Sequence, residues 1–448
     1  MQKKNNNAIT QGVIWKEMLK YFFPLLFGTF FQQLYNTVDA IIVGRYVGAQ
    51  ALAAVGGSAS VIVNLFVGFF TGLASGATVI IAQFYGAKHM NDVKKAIHTG
   101  IAISIIGGII FTIIGLCLAP FGIEILNTPK DTINDSVLYL RIYFIGMIPN
   151  LVYNMGAGIL RAIGDSVRPL ITLIIATICN IILDILFVYE LGMGVKGVAI
   201  ATILCQLISA IIVISMLKKL DAEYKLCIKD IRVDGPIVLK ILHIGIPAGV
   251  QSSMYSLSNL VIQTAINSFG TYAVSAWAAY GKVDILLWLI VGSLGTSITT
   301  FVGQNYGAGK PKRVRDSVRQ GLVITFIFTV MLSLIFYFYR IPLLKIFISE
   351  ADVINYGDIM MKAMVPFYVL YISVEVFSGA LRGMGEAIIP TLLSLFGICI
   401  MRVLWVIFIL PLNNEVTTIV YSYPVTWALT SFMFILYYFY VIKKKHRF

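Results

Sequence analysis

Twelve apolar stretches follow one another along the chain, each bounded by glycine, proline or charged residues. They run near 15–43, 51–83, 94–118, 136–160, 167–188 and 197–218, then 237–268, 275–304, 314–339, 353–381, 387–410 and 416–442. At 1.5 Å of rise per residue, about 20 apolar residues cross the hydrocarbon core of a bilayer. The pattern therefore predicts an all-α polytopic membrane protein of about twelve transmembrane helices.

Composition points the same way, with 58% hydrophobic and 12% charged residues, against about 25% charged in soluble domains. The formal net charge of +13 does not signal nucleic acid, because the cations sit in short segments between apolar runs. Loops on one side hold Lys88, Lys94, Lys95, Arg161, Arg168, Lys218, Lys219, Lys225, Lys229, Arg232, Lys310, Lys312, Arg313, Arg315 and Arg319. The tails add Lys3, Lys4, Lys443, Lys444, Lys445 and Arg447, whereas the opposite loops offer Arg45, Lys130, Lys196, Arg340 and Lys345. The positive-inside rule then places both termini in the cytoplasm and the chain in the inner (plasma) membrane. The polar segment Met1 to Gln11 precedes an apolar stretch too long for a signal peptide and without a small-residue cleavage site, so the first span is expected to stay in the protein. Cys117, Cys179, Cys205, Cys227 and Cys399 are scattered, with no C-x-x-C pair, which predicts neither disulfides nor a zinc site.

The chain is duplicated. Gln83-Phe-Tyr-Gly-Ala87 returns as Gln304-Asn-Tyr-Gly-Ala308, and Leu160-Arg161-x-x-Gly164 returns as Leu381-Arg382-x-x-Gly385, both 221 residues later. Pro24 and Asn36 face Pro247 and Asn259 at an offset of 223. Six spans separate equivalent points, so both copies enter from one side as a parallel repeat about the membrane normal. Two pseudo-symmetric six-helix lobes are expected, at 1–220 and 237–448, joined by a polar cytoplasmic linker at 221–236. Paired lobes of this kind suit alternating access to a central site.

Gln33-Leu-Tyr-Asn36-Thr-Val-Asp39, the two Gln-x-Tyr-Gly-Ala segments, the two Leu-Arg-x-x-Gly segments and Asn180-x-x-x-Asp184 together resemble the multidrug and toxic compound extrusion (MATE) family. The likeness covers nearly the whole chain. It implies two six-helix lobes in a V and export driven by inward flow of Na+ or H+. It also implies that Asp39, Asn180, Asp184 and Thr202 form the cation site of the N-terminal lobe.

The residues themselves support attention to the same place. A carboxylate at mid-bilayer costs about 3 kcal/mol or more on insertion scales, so Asp39 and Asp184 need partners, a cation or a proton. Asn180 and Asp184 are four apart and share a helix face, and Thr202 adds a hydroxyl from the next span. Oxygen ligands suit Na+, and the same carboxylates suit H+; the alternative is an internal hydrogen-bond network that only holds helices together. Gln33, Tyr35 and Asn36, within two turns of Asp39, either line that cavity or act as packing glue. Pro24 is expected to bend the first span.

The second half does not copy the acidic set, since Asp39 faces Ile262 and Asp184 faces Trp405. Lys282, Asp284, Glu375 and Arg402 are instead expected as a mutually neutralising cluster in the C-terminal lobe or as substrate contacts. Trp277 and Trp288 are candidates for stacking on flat organic cations, or for ordinary packing at interfaces. Arg161 and Arg382 sit at cytoplasmic span ends, where helix-terminus charge and lipid phosphate account for them.

No G-x-x-x-x-G-K-[ST] loop, no H-E-x-x-H and no large soluble domain is present, which argues against an enzyme and against an ATP-driven pump. The expected function is a secondary active exporter of small amphipathic, cationic organic compounds or drugs, acting as a monomer with no cofactor beyond the coupling Na+ or H+. Two alternatives remain at this level. One is a flippase for a lipid-linked saccharide, which calls for a strongly cationic cavity, and the other is an integral-membrane lipid-modifying enzyme, which calls for a clustered nucleophile and base.

Overall fold

A computed structural model describes residues 8–126 and 128–444, all helix and connecting loop with no strand among them. Lys3, Lys4, Lys445, His446 and Arg447 lie outside the described residues. Every expected apolar stretch is helical. Among the described residues ten helices are long and apolar enough to cross a membrane: Ala49–Gly86, Met90–Ile125, Val167–Glu190, Gly194–Lys218, Gly235–Asn267, Thr271–Gly307, Pro311–Phe338, Ala351–Gly383, Ile388–Leu412 and Val416–Lys444. Ile133–Ile145 and Met147–Ala162 make one more span, bent by 52°. The remaining long helix, Ile14–Ile42, has 29 residues and carries Gln32, Gln33, Asn36 and Asp39 along its second half. In chain order these are the first to twelfth spans.

Local chemistry explains the irregularities. The bend in the fourth span falls at Gly146, where a Cβ would lie 2.7 Å from Ile203 Cγ1, and Pro149 follows within the first turn of the second piece. Proline is tolerated there because the first-turn N–H groups have no helical partner. The third span runs seven residues past its expected end at 118, through Pro120 to Ile125. The first and fifth spans finish in π-helical turns, Val43–Val47 and Ile185–Glu190.

The chain divides into two compact units, one spanning Phe23–Gly249 and the other made of Val250–Phe448 with the described part of Met1–Phe22. We call them the N-terminal and C-terminal lobes. The divisions fall inside the first and seventh helices, beside Pro24 and close to Pro247. In the N-terminal lobe the second and seventh helices touch backbone to backbone: a Cβ on Gly72 would lie 2.3 Å from Gly249 N, and one on Gly76 2.4 Å from Ile241 O. Gly72 and Gly76 face Gly245 and Gly249, so two small-xxx-small stripes meet. Residues 221–236 pack within this lobe as well. Cys227 N donates to His98 Nε2 at 3.0 Å, Asp234 N donates to Thr99 Oγ1 at 3.3 Å, and Lys94 pairs with Asp230 at 3.1 Å.

The C-terminal lobe is knit by an equivalent approach between the eighth and tenth spans, where a Cβ on Gly379 would lie 2.9 Å from Gly295 O and one on Gly383 2.7 Å from Thr299 O. The first helix's opening turns belong here: Tyr21 Oη lies 3.1 Å from Thr300 Oγ1, and the rings of Phe22 and Phe328 are 5.4 Å apart. Arg313 ties down residues 9–12 by donating to the carbonyls of Ile9 and Gly12, each at 2.9 Å.

Candidate functional site

The acidic residues singled out in the sequence gather inside the N-terminal lobe. Asp184 and Asn180, one turn apart on the fifth span, have no exposed surface, and Thr202 on the sixth span is 3% exposed. Asp39 of the first span lies against Asp184, with Asn180 beside both. Asp39 Oδ1, both carboxylate oxygens of Asp184 and both amide atoms of Asn180 are buried and form no hydrogen bond. Buried polar atoms are almost always paired in proteins, so five unpaired atoms at one point are a feature that asks for a function. Thr202 Oγ1 donates back to Val198 O at 3.0 Å, which leaves its lone pairs free to accept.

Tyr35 joins the group, its hydroxyl near Thr202 and Asp39. Asn36 is exposed, and Gln33, like Tyr35, is half-buried. Tyr139, Tyr143 and Gln206 complete the surroundings, with Gln206 Nε2 donating to Tyr143 Oη at 3.4 Å and the two tyrosine rings 6.1 Å apart. The sequence reading missed these three. The available signal was the four-residue spacing of Tyr139 and Tyr143 on one face of the half-span before Gly146.

The π-turns sit directly after the acidic residues. Val43–Val47 packs on Ile185–Glu190, and Tyr46 meets Tyr189 edge to face at 5.1 Å. Wide turns of this kind recur at functional positions because they free backbone groups and redirect the helix. Among the described residues no three His, Cys, Asp or Glu side chains come together as a metal cluster, so any cation here would complete its shell with amide, hydroxyl or phenol oxygen.

The C-terminal lobe holds a cavity of about 430 Å³. Trp277 and Trp288 line it, together with Trp427, Tyr280, Tyr371 and Tyr423. Among the described residues the four charged residues expected there as one cluster form no ion pair with one another, although Asp284 and Arg402 line the same cavity. Lys282 points to the exposed surface. Asp284 accepts from Tyr280 at 3.1 Å and from Tyr368 on Oδ1, and from Trp288 Nε1 at 2.6 Å on Oδ2. Glu375 packs against Gly295, with Tyr371 Oη 3.5 Å away. Arg402 lies 3.9 Å over the Tyr423 ring and donates to Asn259 Oδ1 at 3.3 Å. Tyrosine and tryptophan donors thus satisfy the Asp284 carboxylate where an ion pair was expected.

A family model described as MatE matches twice, at residues 24–186 and again at 247–407. The chain belongs to the MatE family. Each match falls on one half of the duplication. A "Probable multidrug resistance protein YoeA" of Bacillus subtilis is 27% identical over 99% of this chain and 96% of its own length. A "Probable multidrug resistance protein NorM" of Thermotoga maritima is 26% identical over 86% of this chain and 83% of its own. A crystal structure of a MATE protein in the bent conformation superposes with a TM-score of 0.92 over 100% of both chains at 21% identity, which shows the shared fold. This MatE protein is therefore a multi-pass membrane transporter, with about twelve helices in two lobes, and not an enzyme.

Proposed function

We propose that this MatE protein is a secondary active exporter of small amphipathic organic compounds, cationic drugs among them, driven by inward Na+ or H+ through alternating access. The observation that carries the reading is the pair Asp39 and Asp184, the first half-buried and the second without exposed surface, in contact and with unpaired buried oxygens. Two negative charges in contact within hydrocarbon repel strongly, and a cation or proton between them removes that repulsion. In the Na+ case the carboxylates, Asn180 Oδ1 and Thr202 Oγ1 supply the hard oxygen donors that such an ion prefers. The names of the relatives support the substrate class, since both are described as multidrug resistance proteins.

Coupling follows from the elements that carry the pair. Asp39 and Asp184 stand on different spans, each just before a π-turn, so loading the site draws the first and fifth spans together. The ion acts as a switch to the extent that it prefers one arrangement, and each ~1.4 kcal/mol of preference shifts the populations tenfold. The chain works as a single copy, in the inner membrane, with both termini cytoplasmic, as the lysine-rich loops support.

The test is efflux of a fluorescent cationic dye from proteoliposomes under Na+ and H+ gradients imposed separately. Dye movement driven by one gradient and lost in Asp39→Asn and Asp184→Asn agrees with the proposal. Movement indifferent to both gradients argues against it.

A further inference from the structure

The cavity of the C-terminal lobe contains two ionic groups of opposite status. Asp284 is well supplied with partners, accepting from Tyr280, Tyr368 and Trp288. Arg402, only 4% exposed, is not: one Nη donates to Asn259, the plane rests on Tyr423, and the buried Nε has no acceptor. No carboxylate among the described residues lies within ion-pair distance of it. A guanidinium carries five donors in a planar fork shaped for a carboxylate or similar anion, and leaving it unpaired in a low-dielectric site is costly. Much of the rest of the wall is aromatic, with Asn259, Gln263 and aliphatic residues between the rings, and about 430 Å³ is near the lower end of the range that holds drug-sized ligands.

We propose that this cavity binds a compact planar aromatic compound with an anionic edge, Arg402 receiving the edge and Trp277 and Trp288 facing the rings. The guanidinium makes the charge-assisted contact through the part it presents to the cavity, and the tryptophan faces supply apolar area with little ordering cost. Asp284 already accepts from three neutral donors, whereas Arg402 has one hydrogen-bond partner. The inference rests on the transport reading only for the ligand being cargo; binding itself needs no gradient.

The experiment is calorimetric titration of the full-length protein in detergent, without any gradient, with 2-naphthoate, 2-naphthamide and 2-naphthylmethylammonium. Wild type is expected to bind the carboxylate at least about tenfold more tightly than the other two. Arg402→Gln should erase that preference while still binding the amide, Arg402→Lys should keep part of it, and Asp39→Asn should leave it intact. Amide binding reports that the Arg402→Gln cavity is folded, and should that variant fail to fold, the wild-type ranking decides alone. Equal or tighter wild-type binding of the amide or the ammonium overturns the proposal, as does a carboxylate preference that survives in a folded Arg402→Gln. Failure of gradient-driven export in proteoliposomes would sink the transport reading without changing this ranking.

Discussion

Replacing Asp184 by Asn keeps the shape of the side chain and removes one charge from a position with no exposed surface. The parent holds that charge at a cost of about 3 kcal/mol or more, beside further unpaired polar atoms. Without the coupling ion, Asp184→Asn should therefore be at least as stable as the parent. With it, the order changes. An ion that binds only the folded form stabilises by RT ln(1 + [L]/Kd), about 2.7 kcal/mol at a hundredfold excess over Kd. For a folding unit of a few hundred residues that is a rise in Tm of roughly 5–10 °C. The assay is thermal unfolding of the purified protein in choline chloride, with Na+ titrated in at constant ionic strength, and in parallel with pH lowered in the absence of Na+. The parent's Tm should climb with whichever ion couples. Asp184→Asn and Asp39→Asn should start at an equal or higher Tm and stay flat. A full ion-dependent rise in Asp184→Asn would refute the assignment of the site, and a parent that responds to neither ion would refute the coupling.

Gly76→Leu should lower the stability of the N-terminal lobe by ~1–3 kcal/mol or more, because a Cβ there meets backbone that has nowhere to go, while Gly56→Ala, with open space around it, should be tolerated; thermal unfolding compares the two. Trp288→Phe removes a donor from Asp284 and one wall of the cavity, so it should change which dyes are exported while leaving the ion-dependent Tm rise intact. The Lys94 ammonium holds the exposed Asp230 carboxyl below its usual range, so their contact persists at neutral pH and is lost only as pH falls below about 3.9; faster amide exchange over residues 226–231 on acidification, and at pH 7 in Asp230→Asn, checks this. Glu223→Cys, made with Cys117→Ser and Cys227→Ser, should react with impermeant reagents from the cytoplasmic side alone, and labelling of that position from outside in intact cells would reverse the topology.

The positions of the helices were legible because a span needs a run of apolar residues whatever it packs against, and the expected ends differ from those observed by a few residues. Asp39 and Asp184 were legible for the opposite reason: a carboxylate inside such a run is expensive enough to stand out unaided. Tyr139, Tyr143 and Gln206 were not, since tyrosine and glutamine in a membrane helix are common enough to pass as packing. The fate of Lys282, Asp284, Glu375 and Arg402 was also hidden. Charge counting paired them, whereas the fold gave Asp284 to three neutral donors and laid Arg402 on Tyr423.

By itself, then, the sequence determined that this is a duplicated membrane bundle and that carboxylates, Asp39 and Asp184 among them, lie within its apolar spans, because hydrophobic length and charge cost are properties of the residues alone. Only the tertiary structure decided that the compact units break inside the first and seventh helices, and that Asp39 meets Asp184 beside Asn180. It alone left Arg402 without a carboxylate in an aromatic cavity. Those outcomes depend on which helix faces meet, and faces meet where small residues such as Gly72, Gly76, Gly245 and Gly249 let backbones touch, a matter of shape that composition along the chain does not record.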